Sequence, residues 1–416
     1  MQVLARVELR HAGLLRPRPT IACCPGPANA GLDPRAAAWQ VCAMLLLIPG
    51  PVTTRPEVRA AAAEDWAPWD ASFRPLYAEV RTRLAALAGG VLASHAVMPL
   101  QGAGHFAIEA MLRTFVPRPG RLLIPGTGNY ADRMGRLARE IGLAVTMLPV
   151  PLDAPLAATA VAEALAAEPA VTHVGLVYSE TSTGIVHDPA SIGAAVRAAG
   201  RRMLLDAVSA FGALPLDLTR QPEIEATVFT ANKCLEGIPG LAYVIARREA
   251  LAAAGGRAGS WSLDLADIYQ VGERDGWGSF RFTPPAQVLA ALRAALVLHA
   301  AEGGAPARLA RYQANAAALY QGMQAIGLTP YLGREVQGPI VMNVHAPGDP
   351  AWSLQAFVDA LKARGFLISN FYNTERPSFR VGCIGAVTPD DMRRFVTAVD
   401  AALREIGVRS RAPAEG

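Results

Sequence analysis

Six short apolar runs, each separated from the next by an amphipathic stretch, constrain this chain more than anything else in it. They are Arg121 to Pro125, Ala144 to Leu148, Val174 to Tyr178, Met203 to Leu205, Ala226 to Phe229 and Leu241 to Ile245, and they read as apolar on both faces. Strands buried on both faces and separated by helices imply a mostly parallel sheet covered by helices, an α/β architecture. Beyond Phe282, Thr283 and Pro284 the pattern changes to long helical periods over Ala286 to Ala301 and Pro306 to Ile326, followed by shorter strand and helix pieces. A chain of 416 residues, 52% of them hydrophobic, has material for more than one domain. We place a large domain over 44–295, with its N-terminal segment reaching a smaller C-terminal α+β domain over 296–408, and a tail over 409–416. The last helix is well signalled: Thr388 caps it, Pro389 suits its first turn, Asp391 completes a capping box, and Met392, Phe395, Val396, Val399 and Leu403 line one face.

Residues 1–43 are rich in Arg, Pro and Ala without helical or strand period and read as a poorly ordered extension, with Met44 as an alternative start. Ala36 to Ile48 has the apolar character of a signal-peptide core, but it contains Gln40, lacks a weighty basic cluster and runs directly into the sequence assigned to the large domain. No apolar stretch reaches the ~20 residues that a membrane span needs. The formal net charge of +4 comes without any block of like charges, so neither nucleic acid nor an anionic membrane is expected as partner. Small molecules are. Cys23, Cys24, Cys42, Cys234 and Cys383 form an odd set without CxxC spacing, and no histidines pair at helical ligand spacing, so neither disulfides nor a bound metal is expected. A reducing cytoplasm fits this usage.

Of 39 basic side chains only Lys233 and Lys362 are lysines. Where charge alone is needed, this chain uses arginine. A lysine adds a primary amine that can lose its proton and condense with an aldehyde. Lys362 sits on a patterned helix, Leu354 to Ala363, where a solvated face is the plain reading. Lys233 instead follows the strand Ala226 to Phe229, within Thr230-Ala231-Asn232-Lys233-Cys234. Asp206 follows Met203 to Leu205, and Ser179 to Thr183 follow Val174 to Tyr178. Ligands bind outside the carboxyl ends of strands in open α/β sheets, so these groups should converge on one crevice. A lysine and an aspartate meeting there match the needs of pyridoxal phosphate: an amine for its aldehyde and a carboxylate that keeps its ring nitrogen protonated. Gln101-Gly102-Ala103-Gly104-His105 opens a helix whose N–H groups favour an anion such as a phosphate. Tyr130 begins another helix and could stack on a ring, although a lone tyrosine also serves as packing.

Several motifs carry a resemblance over Leu45 to Ile406: Leu47-Ile48-Pro49-Gly50-Pro51-Val52-Thr53-Thr54, Glu180-Thr181-Ser182-Thr183-Gly184, Asp206-Ala207-Val208-Ser209, Ala231-Asn232-Lys233-Cys234 and Arg281-Phe282-Thr283. With these the chain resembles the 2-aminoethylphosphonate:pyruvate aminotransferases, class-V members of the fold-type I pyridoxal-phosphate enzymes. The resemblance implies a transamination between an amine donor and a keto acid. It implies that Lys233 binds the cofactor covalently and later moves a proton, and that Asp206 pairs with the ring nitrogen. It further implies that Ala103, Gly104, His105 and Asn232 hold the phosphate, that Tyr130 stacks on the ring and that Thr181 bonds near it. Thr283 should reach the phosphate of a neighbouring subunit's cofactor, giving a homodimer with shared sites. Arg380, in Phe379-Arg380-Val381-Gly382, matches the substrate-anion arginine, its planar fork suiting a carboxylate or phosphonate; the alternative for it is a structural ion pair at the domain junction.

The chain departs from the family pattern in two places. Where a Pro-Gly-Lys segment is common before that arginine, it reads Ser369-Asn370-Phe371-Tyr372-Asn373-Thr374, and His105 replaces a small hydroxyl residue. The first departure bears on phosphonate recognition more than on transamination. The runner-up function is an alanine or serine:glyoxylate aminotransferase. A cysteine nucleophile at Cys234 or Cys383 would instead give a sulfur-transferring lyase, and a non-catalytic regulator would require an appended recognition module that the sequence lacks.

Overall fold

The computed structural model describes residues 44–414; the extension expected over 1–43 lies outside them. Strands in chain order are β1 (Leu45–Leu46), β2 (His95–Gln101), β3 (Arg121–Pro125), β4 (Ala144–Leu148), β5 (Val171–Val177), β6 (Arg202–Asp206), β7 (Ile224–Thr230), β8 (Leu241–Arg247), β9 (Val341–His345), β10 (Phe366–Leu367) and β11 (Ser378–Gly382). Among the described residues the main sheet has seven strands in the order β2-β8-β7-β6-β5-β3-β4. Only β8 runs against its neighbours, pairing antiparallel with both β2 and β7. The expected mostly parallel sheet is therefore present, with one reversed strand.

Nearly every residue of β5, β6, β7 and β8 is buried, because helices cover both faces. Successive residues serve opposite cores: Leu205, Phe229 and Tyr243 pack on one side, and Leu204, Val228 and Val244 on the other. The run Ala144 to Leu148 departs from the expectation of burial on both faces. It is the edge strand β4, half-buried over most of its length. At the opposite edge lies β2, which the apolar-run pattern did not include. Pro99 interrupts it, and an edge strand tolerates a residue without an N–H.

A third apolar core gathers Met342, Phe357, Phe379 and Phe395 together with Leu47 from the start of the described chain. There β9 pairs antiparallel with β11, setting Arg380 opposite Asn343, while β1 adds parallel to β10. The boundary expected at 295/296 falls inside one helix, Ala286–Glu302. The final helix, Pro389–Glu405, carries the expected capping box, with Asp391 N–H donating to Thr388 Oγ1 and Thr388 N–H to Asp391 Oδ2. The expected tail is pinned, since Arg409 and Ser410 N–H groups donate to Asp349. Among the described residues no single helix is long and apolar enough to cross a membrane.

Candidate functional site

The carboxyl ends of β2, β5, β6 and β7 open onto one cavity of about 500 Å³, lined among others by Gly104, His105, Tyr130, Asp206, Asn232 and Lys233. A second cavity of about 500 Å³ adjoins it and shares Gly50, Tyr130, Arg133 and Lys233 with it, adding Ser369, Phe371 and Arg380. Lys233 thus stands between an inner chamber that holds Asp206 and an outer one that holds Arg380.

The chain leaves β7 at Thr230 and turns tightly, with Gly237 N–H donating to Ala231 O at 2.8 Å, which lifts Lys233 off the strand end. Lys233 is buried and its Nζ donates to Ser209 Oγ at 3.3 Å. Gly50 closes over its stem: a Cβ there would lie 2.7 Å from Lys233 Cδ, at a φ of +144°. Burial draws the Lys233 amine below its ordinary pKa, and the Arg380 charge acts in the same direction. A lysine whose amine gives up its proton more readily is better suited to act as a nucleophile and a proton carrier.

Asp206 is the last residue of β6, and one of its oxygens accepts the Val208 N–H at 2.9 Å. Burial pushes its pKa up to about 6 against the pull of that N–H and of Lys233. The carboxylate is therefore short of positive partners, the condition in which a cationic ring nitrogen would be held. Behind it the helix Gly104–Phe115 begins at the cavity with no side chain capping it, Gly104 packing so closely on Val208 that a Cβ would sit 2.8 Å from Cγ2. His105 lies on that first turn, its imidazole pulled down by burial and then by Arg133.

Tyr130 lies in the first turn of the helix Asn129–Glu140. Burial by itself would raise its phenol pKa, but the charge of Lys233, the Thr181 hydroxyl and the charges of Arg380 and Arg133 outweigh that and lower it. The helix start is held by Glu180, wholly buried, whose carboxylate accepts from the N–H groups of Tyr130, Ala131 and Ser182. Thr181 is buried beside the Tyr130 phenol and lines neither cavity, its carbonyl accepting from Arg380 Nη1 at 2.9 Å. Ser179 and Thr230 present unpartnered hydroxyls to the inner cavity.

Arg380 is 4% exposed. Among the described residues its hydrogen bonds go to the Thr181 carbonyl and, from Nη2, to Ser369 Oγ at 3.4 Å, while Nε has no partner. Among the described residues no carboxylate hydrogen-bonds this guanidinium, and its Nε is left free. The divergent loop contributes to this chamber: Phe371 lies 5.2 Å from the guanidinium, and Asn373 accepts from Asn129 Nδ2 at 3.1 Å. Lys362, on an exposed helix face, also borders the outer cavity, so both lysines of the chain adjoin it.

Thr283 stands apart, exposed and outside both cavities, its carbonyl accepting from Gln101 Nε2. Gly50, Arg133, Glu180 and Ser209 are site residues to which sequence reasoning gave no role, although three of them fall inside quoted motifs. Arg133 had a signal: it lies one turn after Tyr130, and its guanidinium sits 4.9 Å over that ring. Cys234 and Cys383 are both buried, and burial pushes each thiol up to about 12. Neither is a nucleophile at neutral pH.

The class-V aminotransferase family profile matches residues 68–364. The chain is 45% identical over 367 residues to 2-aminoethylphosphonate–pyruvate transaminase of Burkholderia thailandensis, covering 88% of this chain and 98% of that one. It is 43% identical over 365 residues to the protein of the same name from Paraburkholderia phymatum, with the same coverage. Among solved structures it is similar to pyridoxamine–pyruvate aminotransferase from Mesorhizobium loti, with a TM-score of 0.78, 25% identity, and 88% of this chain and 94% of that one covered. The fold is also that of alanine–glyoxylate aminotransferase from Nostoc sp., with a TM-score of 0.79, 24% identity, and coverage of 90% and 98%.

Proposed function

For this chain, which belongs to the class-V aminotransferases and within them to the 2-aminoethylphosphonate–pyruvate transaminases, we propose transfer of the amino group of 2-aminoethylphosphonate to pyruvate, giving phosphonoacetaldehyde and L-alanine. The observation that carries this reading is the placement of Lys233 between a chamber with an unpaired buried carboxylate and one with an unpaired buried guanidinium.

Pyridoxal phosphate fits the inner chamber. Lys233 would hold its aldehyde carbon, Asp206 its ring nitrogen, Tyr130 its ring face, and Ala103, Gly104, His105 and Asn232 its phosphate. The uncapped helix at Gly104 and the unpartnered hydroxyls of Ser179 and Thr230 are what an anionic, polar-rimmed ring would satisfy. When bound, the cofactor supplies an aldehyde that condenses with amines and a protonated ring that withdraws electrons. Arg380 takes the phosphonate of the donor and then the carboxylate of pyruvate, orienting the reacting carbon toward Lys233. Lys233 Nζ would serve as the base that takes the proton from the amine-bearing carbon of the substrate, a role suited to its lowered pKa. Gly50 packs on its stem and fixes the direction in which the amine points.

The working unit we propose is a homodimer. Thr283 is exposed next to Phe282 and Trp261, which are 42% and 71% exposed, and such an apolar rim supports a covering partner whose cofactor phosphate Thr283 would reach. The free thiols Cys234 and Cys383 are consistent with a cytoplasmic setting. Incubation of the purified, cofactor-loaded protein with 2-aminoethylphosphonate and pyruvate should yield phosphonoacetaldehyde and alanine in equal amounts. Alanine formed from serine or another amino acid, with the phosphonate untouched, would move the donor to the α-amino acids.

A further inference from the structure

Lys233 and Arg380 belong to different sheets and different apolar cores. Lys233 follows β7 of the main sheet, whereas Arg380 sits on β11 beside β9. No shared strand therefore fixes the span between the amine that reacts and the guanidinium that holds the substrate's anion. Arg380 reaches across to the Thr181 carbonyl, and Asn343 to those of Ser182 and Thr183, but a further bridge joins the backbone beside each of the two residues.

The bridge lies beneath the site, on the helix Gly304–Ala325. Arg308, 1% exposed, donates from Nη1 to the carbonyl of Cys234 at 2.7 Å, the residue next to Lys233. Glu236, buried and held at a φ of 59°, accepts at Oε1 from Arg311 Nη2 at 2.6 Å and from Tyr312 OH at 2.8 Å. The same residues grip the other side. Arg311 Nη1 donates to the carbonyls of Gly385 and Val387 at 2.6 and 2.9 Å, and Asn315 Nδ2 to those of Cys383 and Val387 at 3.0 and 3.2 Å. The segment 383–387 is the one that leaves β11 at Gly382, two residues beyond Arg380. Glu302 completes the cluster, accepting from Arg308 and Arg311 at 2.8 Å each.

Two guanidinium groups and two carboxylates thus neutralise one another inside the protein. A buried ionic cluster is a poor source of net stability, because apolar residues of the same volume serve as well; its attested use is to fix one arrangement out of several. Here the arrangement it fixes is the position of the Lys233 turn relative to the Arg380 strand. We infer that Glu236, Arg311 and Tyr312 are positioning residues that set the distance between Lys233 and Arg380, and so select amine donors by the number of bonds between amine and anion. This rests on the reading of Lys233 and Arg380 given above.

The test uses the loaded wild-type protein and the variants Glu236→Gln, Arg311→Lys and Tyr312→Phe, the last removing a single oxygen. Each is mixed with aminomethyl-, 2-aminoethyl- and 3-aminopropylphosphonate and with ethylamine, and the change in cofactor absorbance gives the rate of each half-reaction. The wild type should favour one chain length over its neighbours by roughly 10- to 100-fold, the usual worth of a misplaced methylene. The variants should flatten that preference roughly tenfold while the reaction with ethylamine, which ignores Arg380, changes less than about threefold. An equal slowing of all four amines, with the preference intact, would make the cluster merely structural and overturn the inference. Should the wild type prefer alanine to every phosphonate, the donor assignment fails. The same comparison, run between alanine and β-alanine, then tests the spacing.

Discussion

Replacing Asp206 by asparagine should make the cofactor-free protein more stable at pH 8. In the fold the Asp206 carboxyl is raised from 3.8 to about 6, chiefly by burial. A carboxyl raised in this way contributes stability that is fully present below 3.8 and is lost as pH rises through about 6. At about 1.4 kcal/mol per tenfold change in acidity, ionising it inside the protein costs about 3 kcal/mol. Asparagine removes that charge and keeps an oxygen for the Val208 N–H, which now donates to Asp206 Oδ1 at 2.9 Å. That ionisation cost already includes the attraction to Lys233; the amide's buried N–H donors offset part of the benefit, so the expected gain is about 1–3 kcal/mol. Urea unfolding of the cofactor-free wild type and of Asp206→Asn, at pH 5 and pH 8, measures it. The gain should appear at pH 8 and shrink at pH 5, and the same variant should bind pyridoxal phosphate more weakly and lose most of its turnover. A variant that is less stable by the same amount at both pH values would refute the idea that this carboxylate awaits a cation.

Other consequences are equally direct. Lys233→Ala should abolish turnover while leaving the fold intact by circular dichroism. Arg380→Met should raise KM for 2-aminoethylphosphonate roughly 10- to 100-fold, the worth of a charge-assisted pair, and leave the slow reaction of ethylamine little changed. Gly50→Ala would push a methyl to within 2.7 Å of Lys233 Cδ at a φ of +144°; kcat should fall at least about tenfold, with displaced cofactor absorbance as the second readout. Glu302 is held down at about 2, burial being outweighed by Arg311 and Arg308. Its contribution is present above 4.5 and lost as pH falls toward 2. Glu302→Gln should therefore lower stability at pH 7 by about 2–3 kcal/mol and flatten the acid limb of the unfolding curve between those values.

The sheet and the reactive pair were legible because both leave local traces. Strands covered on two faces are apolar throughout, and a lysine in a chain that otherwise uses arginine stands out at a strand end. Local traces end where packing decides. Strand β2 was hidden by Pro99, which is harmless only because the strand lies at the edge. The run Ala144 to Leu148 looks like its neighbours in sequence, but nothing in it says that it forms the opposite, half-buried edge. Glu180 reads as one polar residue among several, and its role in holding the helix of Tyr130 depends on contacts 50 residues apart. Arg308 and Arg311 have the spacing of a solvated helix face. Only the tertiary fold turns that face inward against Glu236 and Glu302. Arg380 was found through its motif, while its unpartnered Nε could be known only from the structure.

The central claim is that Lys233 and Arg380 together act on an amine that carries a phosphonate. A single half-reaction tests it most directly: the cofactor-loaded protein is mixed with 2-aminoethylphosphonate in the absence of any keto acid, beside alanine, serine and ethylamine, and the loss of cofactor absorbance is followed. Fast, saturable loss with the phosphonate, well ahead of the other three in kcat/KM and restored by pyruvate, is the result this account predicts. Loss with alanine or serine while the phosphonate leaves the spectrum unchanged would contradict it.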